Sequence, residues 1–579
     1  MPHAAVLRRL ALLALAGLAS CRSGPASSAG TADLVVYGRV WTGDSAKPWA
    51  GAVAVSGDTV SALGDSAEIA ALVRPETRVL ANGDGLVTPG FMDGHLHFLD
   101  GGYQLASVDL RPANGKTEFI ERVAAFASER EPGEWIVGGD WDHERWPGTP
   151  LPHRSWIDSV TPNNPVLLYR LDGHMALANS AALRLAKMGR TTRDIPGGVI
   201  VRDPSGELTG VLKDEAMNPV EALIVRTDAQ RDAALKRALE HAAARGVTAF
   251  AHVSVPLAEL GAYQRARRAH TLTARAALYF PIEHWREVAD TVAKIGRGDD
   301  WVWIGGVKGY MDGSLGSTTA LFYHPYEDDP STSGVLTTPE DSMRAWIGGA
   351  DSAELQVVVH AIGERANGLL LSIFDSVARA HGVRDRRFRV EHAQHLRRED
   401  IPRFAQLGVI ASMQPYHAID DGRWAEKRIG PERIKTTYAF RSLLDRGAVL
   451  AFGSDWTVAP IEPLLGIYAA VTRRTLDGKN PDGWVPQEKI SVEEALRAYT
   501  MGNAYGVFAE DRRGKLAPGY LADLVLIDRD LTRIPPEEIE QAAIKATVVG
   551  GRVVYEAKGG RVTLGRPTQP SADTPPQAP

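Results

Sequence analysis

The sequence predicts an α/β fold: a (β/α)8 TIM-type barrel joined to a small composite β-sandwich domain formed by both chain ends. Three observations predict it. Short β-rich runs alternate with amphipathic helical stretches through the middle of the chain. Blocks that read as hairpin-connected strands occur only near the two ends. Residues of metal-binding type recur at the last position of the central runs, the end at which such barrels carry their chemistry.

A chain of 579 residues, 44% apolar and 23% charged, is long enough for a large core and more than one domain. A net charge of -6 gives no reason to expect nucleic acid as a partner. Residues 1–20 read as a signal peptide, because Arg8-Arg9 precede the apolar run Leu10 to Ala19, which is too short to span a bilayer. Leu18-Ala19-Ser20-Cys21 resembles the lipobox of bacterial lipoproteins. That resemblance implies cleavage before Cys21, lipid attachment to it, a flexible tether over 21–32 and a membrane-anchored place at the bacterial cell envelope. A plain secretory signal with a stray cysteine is the alternative. Cys21 is the only cysteine, so the chain forms no internal disulfide, and an interior metal falls to His, Asp, Glu or Lys.

The elements follow in order. Over 33–86 the first part of the β-domain has strands at Leu34–Tyr37 and Ala52–Val55, with Ser56-Gly57-Asp58 as a turn. The barrel spans 87–505. Its β-rich runs include Val247–His252 (read as the third strand), Trp303–Tyr310, Gln356–His360, Phe388–His392, Val409–Met413 and Val449–Asp455. Helical stretches such as Ala229–Arg245 and Asp341–Ser352 separate them. The segment 141–213 is rich in Trp, Pro and Gly and reads as an insertion over the barrel mouth; its Trp141, Trp146, Trp156 and Tyr169 suit either a substrate pocket or a lid core. The β-domain resumes over 506–556, with strands at Ala522–Asp528, Ala546–Val549 and Arg552–Tyr555. Neither terminal block has enough apolar surface to stand alone, so the two are expected to form one domain. Residues 557–579 are Pro-rich and polar and read as disordered.

The chemistry centres on Gly90-Phe91-Met92-Asp93-Gly94-His95-Leu96-His97. Side chains two apart on a strand share a face, so His95 and His97 can point together into the barrel end as half of a divalent metal site. Lys308, His360, His392 and Asp455 come at the ends of later runs. All six are expected to converge at one mouth.

The set HxH, Lys, His, His, Asp on successive strands resembles the amidohydrolase superfamily of metal-dependent hydrolases. Together with Asp172-Gly173-His174 and Asp312-Gly313-Ser314-Leu315-Gly316-Ser317, it is similar to the branch that includes YtcJ-like proteins and N-substituted formamide deformylase. The likeness covers roughly Ala32 to Glu556. It implies one or two divalent ions, zinc foremost, with His95, His97 and Asp455 on one and His360 and His392 on the other. Lys308 would be N-carboxylated and bridge them, because a protonated amine has no lone pair to offer. A lysine paired with a carboxylate such as Asp312, leaving one metal or a looser pair, remains the alternative. The implied reaction is hydrolysis of an amide-type C–N bond of a small molecule by a metal-activated hydroxide, with Asp455 as catalytic proton shuttle. His174, Asp312 and His417 are candidates for binding substrate. Two rivals stay open: a deaminase on the same fold, and a surface lipoprotein that binds without catalysis. The substrate is not legible, and imidazole and carboxylate also accept Mn, Fe, Co or Ni.

Mass spectrometry of the mature N-terminus should find a lipid-modified Cys21 as the first residue, and Cys21→Ala should release the protein or leave its precursor unprocessed. An unmodified first residue other than Cys21 would refute the anchor.

Overall fold

The computed structural model describes residues 31–558. The signal segment, Cys21, nearly all of the tether and the tail from 559 onward lie outside the described residues.

Eight parallel strands make the barrel: β1 (Phe91–Leu96), β2 (Val247–His252), β3 (Arg275–Pro281), β4 (Val302–Tyr310), β5 (Gln356–Ala361), β6 (Arg389–His392), β7 (Ile410–Met413) and β8 (Leu450–Phe452). The ladder runs unbroken from β1 to β8. Between β8 and β1 the seam is closed differently. Ser454 donates its amide to Asp93 Oδ1 at 2.9 Å, and Asp455 donates its amide to His95 O at 2.7 Å. Asn503 Nδ2 donates to the carbonyls of Phe452 and Met92. The backbones come so close that a Cβ on Gly94 would lie 2.2 Å from Asn503 Oδ1, and one on Gly453 would lie 2.5 Å from His95 N. Glycine is required at both positions by close approach.

The helices form for local reasons. Asp228–Ala243 starts at a capping box in which Thr227 and Gln230 satisfy each other's amides, and it buries Ala234, Leu235, Ala238, Leu239 and Ala242 at helical spacing. Glu340–Ser352 likewise buries Met343, Ile347 and Ala350.

Both chain ends share one seven-stranded sheet. Its hub is the long strand Arg78–Pro89, which pairs in parallel with Leu34–Trp41 and antiparallel with Leu524–Ile527. The sandwich layers come from this single sheet, whose two wings close on a common core of Val36, Val53, Val55, Leu526 and Val548. At the barrel junction the buried Arg275 guanidinium of β3 pairs with Asp523 at 2.7 and 2.9 Å. Removing one partner of such a buried pair typically costs about 3–5 kcal/mol.

The insertion is a second α/β layer with its own five-stranded sheet. That sheet begins upstream of Trp141, at Ile136–Trp141, and ends with Leu208–Asp214. The helix Lys116–Ala127 packs Phe119 and Val123 into the core that holds Trp141, Trp146, Ile157 and Leu168. Trp141 donates its indole N–H to Leu168 O at 2.7 Å and Trp146 to Ala113 O at 2.9 Å. The tryptophans therefore build the lid core rather than a substrate pocket. Because the strands between 136 and 214 belong to the lid, His252 ends the second barrel strand and not the third.

Candidate active site

The six expected ligands do converge. His95 lies near the end of β1 and His97 just beyond it; Lys308, His360 and His392 lie on β4, β5 and β6; Asp455 follows β8. Asp455 is the centre. Its Oδ1 lies 3.5 Å from His95 Nε2 and 3.4 Å from His97 Nε2. Its Oδ2 lies 3.9 Å from His392 Nδ1 and 4.0 Å from His417 Nε2. The His360 and His392 rings are 4.5 Å apart, and those of His95 and His392 4.8 Å. His95, His392 and Asp455 present ligand atoms within 4.8 Å of one another.

Two backbone positions set this geometry. Along β6, Arg389 and Glu391 face the barrel interior. Left-handed turns at His392 (φ 74°) and Ala393 (φ 43°) then bring the His392 imidazole round into the mouth. Asp455 is also left-handed, at φ 58°. Such conformations cost free energy in non-glycine residues and concentrate at functional sites.

The electrostatics suit a cation. Burial, reinforced by Lys308, lowers the His95 pKa to about 4. Burial also holds His360 and His392 well below the ordinary imidazole value. These rings are therefore neutral near pH 7 and keep a lone pair. Burial pushes the Asp455 carboxyl up, but His95, His97, His392 and His417 outweigh it and hold the group well below the usual carboxylate range. Burial lowers Lys308 to about 8 against the pull of Glu391 and Asp455. Lys308 Nζ lies 4.4 Å from the Tyr310 ring centroid, and among the described residues neither it nor His95 Nε2 has a hydrogen-bond partner. Neutral imidazoles, one ionised carboxylate and two orphaned buried nitrogens are a donor set that fits a divalent ion.

Asp312 departs from its expected role. Its oxygens accept the backbone amides of Leu321, Gly363 and Ile362 at 2.7, 2.8 and 3.0 Å. It makes no ion pair with Lys308 and does not line the cavity over the cluster. It fixes the loop after β4, whose Gly313 carbonyl lies 3.1 Å from His360 Nε2. His174 and His417 do line that cavity. His174 hangs from the lid with Nδ1 2.6 Å from Asp214 Oδ1 and its ring 4.9 Å from that of His360. The neighbouring Asp172 joins lid to barrel, accepting Arg170 Nη1 at 2.7 Å and Ser317 Oγ at 3.0 Å. Gly316 lets the Arg170 guanidinium lie close, since a Cβ there would fall 2.5 Å from Arg170 Nη1.

The sequence reading missed Arg389, Glu391 and Gln414. Glu391 is fully buried and accepts Arg389 Nε at 2.7 Å, Arg389 Nη2 at 3.0 Å and Ser412 Oγ at 2.7 Å, besides a contact with His95 Nδ1. His392 Nδ1 lies 2.8 Å from Gln414 Oε1. The available signal was Arg389-Val390-Glu391: opposite charges two apart on a buried strand share a face.

A TIM-type barrel with this cluster at the C-terminal ends of its strands is the scaffold of a metal-dependent hydrolase. Residues 81–555 match the Amidohydrolase family, and the chain belongs to it. Three relatives align over most of their length. Protein LONG AFTER FAR-RED 3 of Arabidopsis thaliana is 40% identical over 538 residues, 90% of this chain and 91% of that one. YtcJ of Bacillus subtilis is 32% identical over 498 residues, 83% of this chain and 91% of that one. N-substituted formamide deformylase of Arthrobacter pascens is 27% identical over 541 residues, 91% of this chain and 98% of that one. Among solved structures, a metal-dependent hydrolase from Pyrococcus horikoshii superposes with a TM-score of 0.71 at 29% identity, covering 87% of this chain and 99% of its own.

Glu391→Gln should weaken divalent-metal binding about 10- to 100-fold, the usual loss when a carboxylate behind a histidine ligand is removed. Titration against a competing chelator, with circular dichroism to confirm folding, measures this. Unchanged affinity in a folded variant would remove Glu391 from the metal site.

Proposed function

We propose that the protein hydrolyses an amide-type C–N bond of a small molecule, with Asp455 moving the proton. The carrying observation is the placing of one ionised carboxylate among four histidines at the barrel mouth. His95, His97 and Asp455 would hold one divalent ion, His360 and His392 a second, with zinc the first candidate. Such an ion supplies a Lewis acid and lowers the pKa of water toward neutrality. Lys308, if carboxylated by CO2 with loss of a proton, would be a further ligand to these ions. Its place among the ligands supports this, because a carbamate is anionic and can ligate where an ammonium cannot.

The remaining steps fall to the chain itself. Asp455 is ionised at neutral pH, so it can accept a proton from the attacking water and return it to the leaving nitrogen. His174, its Nδ1 fixed by Asp214, and His417, whose Nε2 is buried without a hydrogen-bond partner, are assigned to holding the substrate. The lid lines one side of the cavity over this site. The relative named N-substituted formamide deformylase supports an amide-type bond. Lys308 inside the cluster supports this reading over a one-metal deaminase. Lipid anchoring at Cys21 and an envelope location belong to the same proposal and rest on the sequence.

Asp455→Asn keeps the shape but removes the basic site. On any amide turned over by the wild type, its rate should fall by at least about 10²-fold. Most of the loss should persist with excess metal, whereas a His392→Asn loss should be partly recovered. Near-normal turnover by Asp455→Asn at saturating metal would exclude Asp455 as the proton shuttle.

A further inference from the structure

The cavity over the metal-site residues is walled by the lid on one side and by the segment after β7 on the other. Its charged lining decides which substrates can enter. Apart from Asp455, four carboxylates line it (Asp142, Asp172, Asp420 and Asp421) against two guanidiniums, Arg170 and Arg423. Neither guanidinium is free. Arg170 is 2% exposed and is held by Asp172 at 2.7 Å and by Asp142 Oδ1 at 3.3 Å, with its Nε donating to His143 Nδ1 at 3.3 Å. Arg423 contacts Asp142 Oδ2 at 3.4 Å and pairs with the Asp420 carboxylate, whose own carbonyl also accepts its Nε at 3.0 Å. Asp142 therefore bridges the two arginines with its two oxygens.

The next cations outward are held as well, two of them by backbone carbonyls alone. Arg111 donates to the carbonyls of Thr457 and Val458 at 2.8 and 2.7 Å, and Lys213 to that of Ser317 at 2.8 Å. Arg428 pairs with Glu144 and with Asp328. Asp421 accepts hydrogen bonds from Gln394 and Tyr438 at 2.7 and 2.6 Å, and burial pushes its carboxyl up to about 7, so it adds less negative charge than the other three. A substrate carboxylate entering here would find both lining guanidiniums already engaged by carboxylates.

Resting on the proposed function, we infer that the non-reacting end of the substrate is neutral or cationic, and that Asp142 enforces this by engaging both Arg170 and Arg423. Carboxylate-bearing amides are disfavoured, because both lining guanidiniums are already engaged by carboxylates. Like charges brought together across a binding surface suppress the wrong partner, and the arginines could serve an anion only by giving up contacts to Asp142, which joins them, and to Asp172 and Asp420.

Binding without turnover tests this on the metal-loaded protein. Three para-substituted benzyl methyl ketones, bearing methyl, aminomethyl or carboxylate groups, have no C–N bond at the carbonyl to cleave, and calorimetry reads their affinities. The carboxylate compound should bind at least about 10-fold more weakly than the methyl compound. In Asp142→Asn that ratio should shrink by about 3-fold or more, and in Arg423→Gln, where an acid loses its counter-charge, it should widen. Equal or tighter binding of the carboxylate by the wild type overturns the inference. So does an unchanged ratio in both variants, or binding by none of the three compounds. Failure to hydrolyse the matched N-formyl amides, with the binding order intact, would instead overturn the amide reading and leave the charge selection standing.

Discussion

The pairing of Glu391 inside the barrel is the constraint on which the site depends. A carboxylate with no solvent exposure would cost several kcal/mol if left alone. Arg389 and Ser412 fill three of its hydrogen-bonding positions, and His95 Nδ1 takes up the remaining side. This fixes the His95 ring, so that Nε2 is the nitrogen left facing Asp455. Asp455 is placed in turn by the backbone bond to His95 O that closes the barrel seam. One buried ion pair thus links barrel closure, ligand orientation and the central carboxylate.

A second tier of buried acids holds the loops that carry the rest of the chemistry. Asp312 gathers three amides from the loops after β4 and β5, and so keeps the Gly313 carbonyl against His360. Asp172 ties Arg170 of the lid to Ser317 of the barrel, and Arg428 reaches Glu144 of the lid from the other side. The lid is fastened at the mouth by charge as well as by packing. It covers part of the mouth and contributes charged side chains to the lining of the cavity.

Much of this was legible in the sequence, and the gaps have physical causes. Strand-helix alternation and ligands at strand ends located His95, His97, Lys308, His360, His392 and Asp455, because a parallel barrel puts strand ends at one mouth. Strands of the lid sheet look like barrel strands in periodicity, which made His252 seem one strand later than it is. Asp312 sits in a motif with the look of a binding loop, but its partners lie at Leu321 and Ile362–Gly363, and only the fold brings those amides together. Glu391 was overshadowed by the adjacent His392. His392 reaches the same interior only through a left-handed turn, which strand alternation alone does not predict. Asp142 acts through Arg423, far away in the chain, and periodicity carries no trace of that contact.

Anomalous diffraction from metal-loaded crystals, recorded on either side of the metal's absorption edge, tests the central claim most directly. The account predicts density for a divalent ion at about 2.0–2.3 Å from donor atoms of His95, His97 and Asp455. A second peak at His360 and His392, with Lys308 density extended between the two, is the result expected for a bridged pair. Absence of any anomalous peak among these residues in metal-saturated crystals, or a single ion bound only elsewhere on the chain, would contradict it.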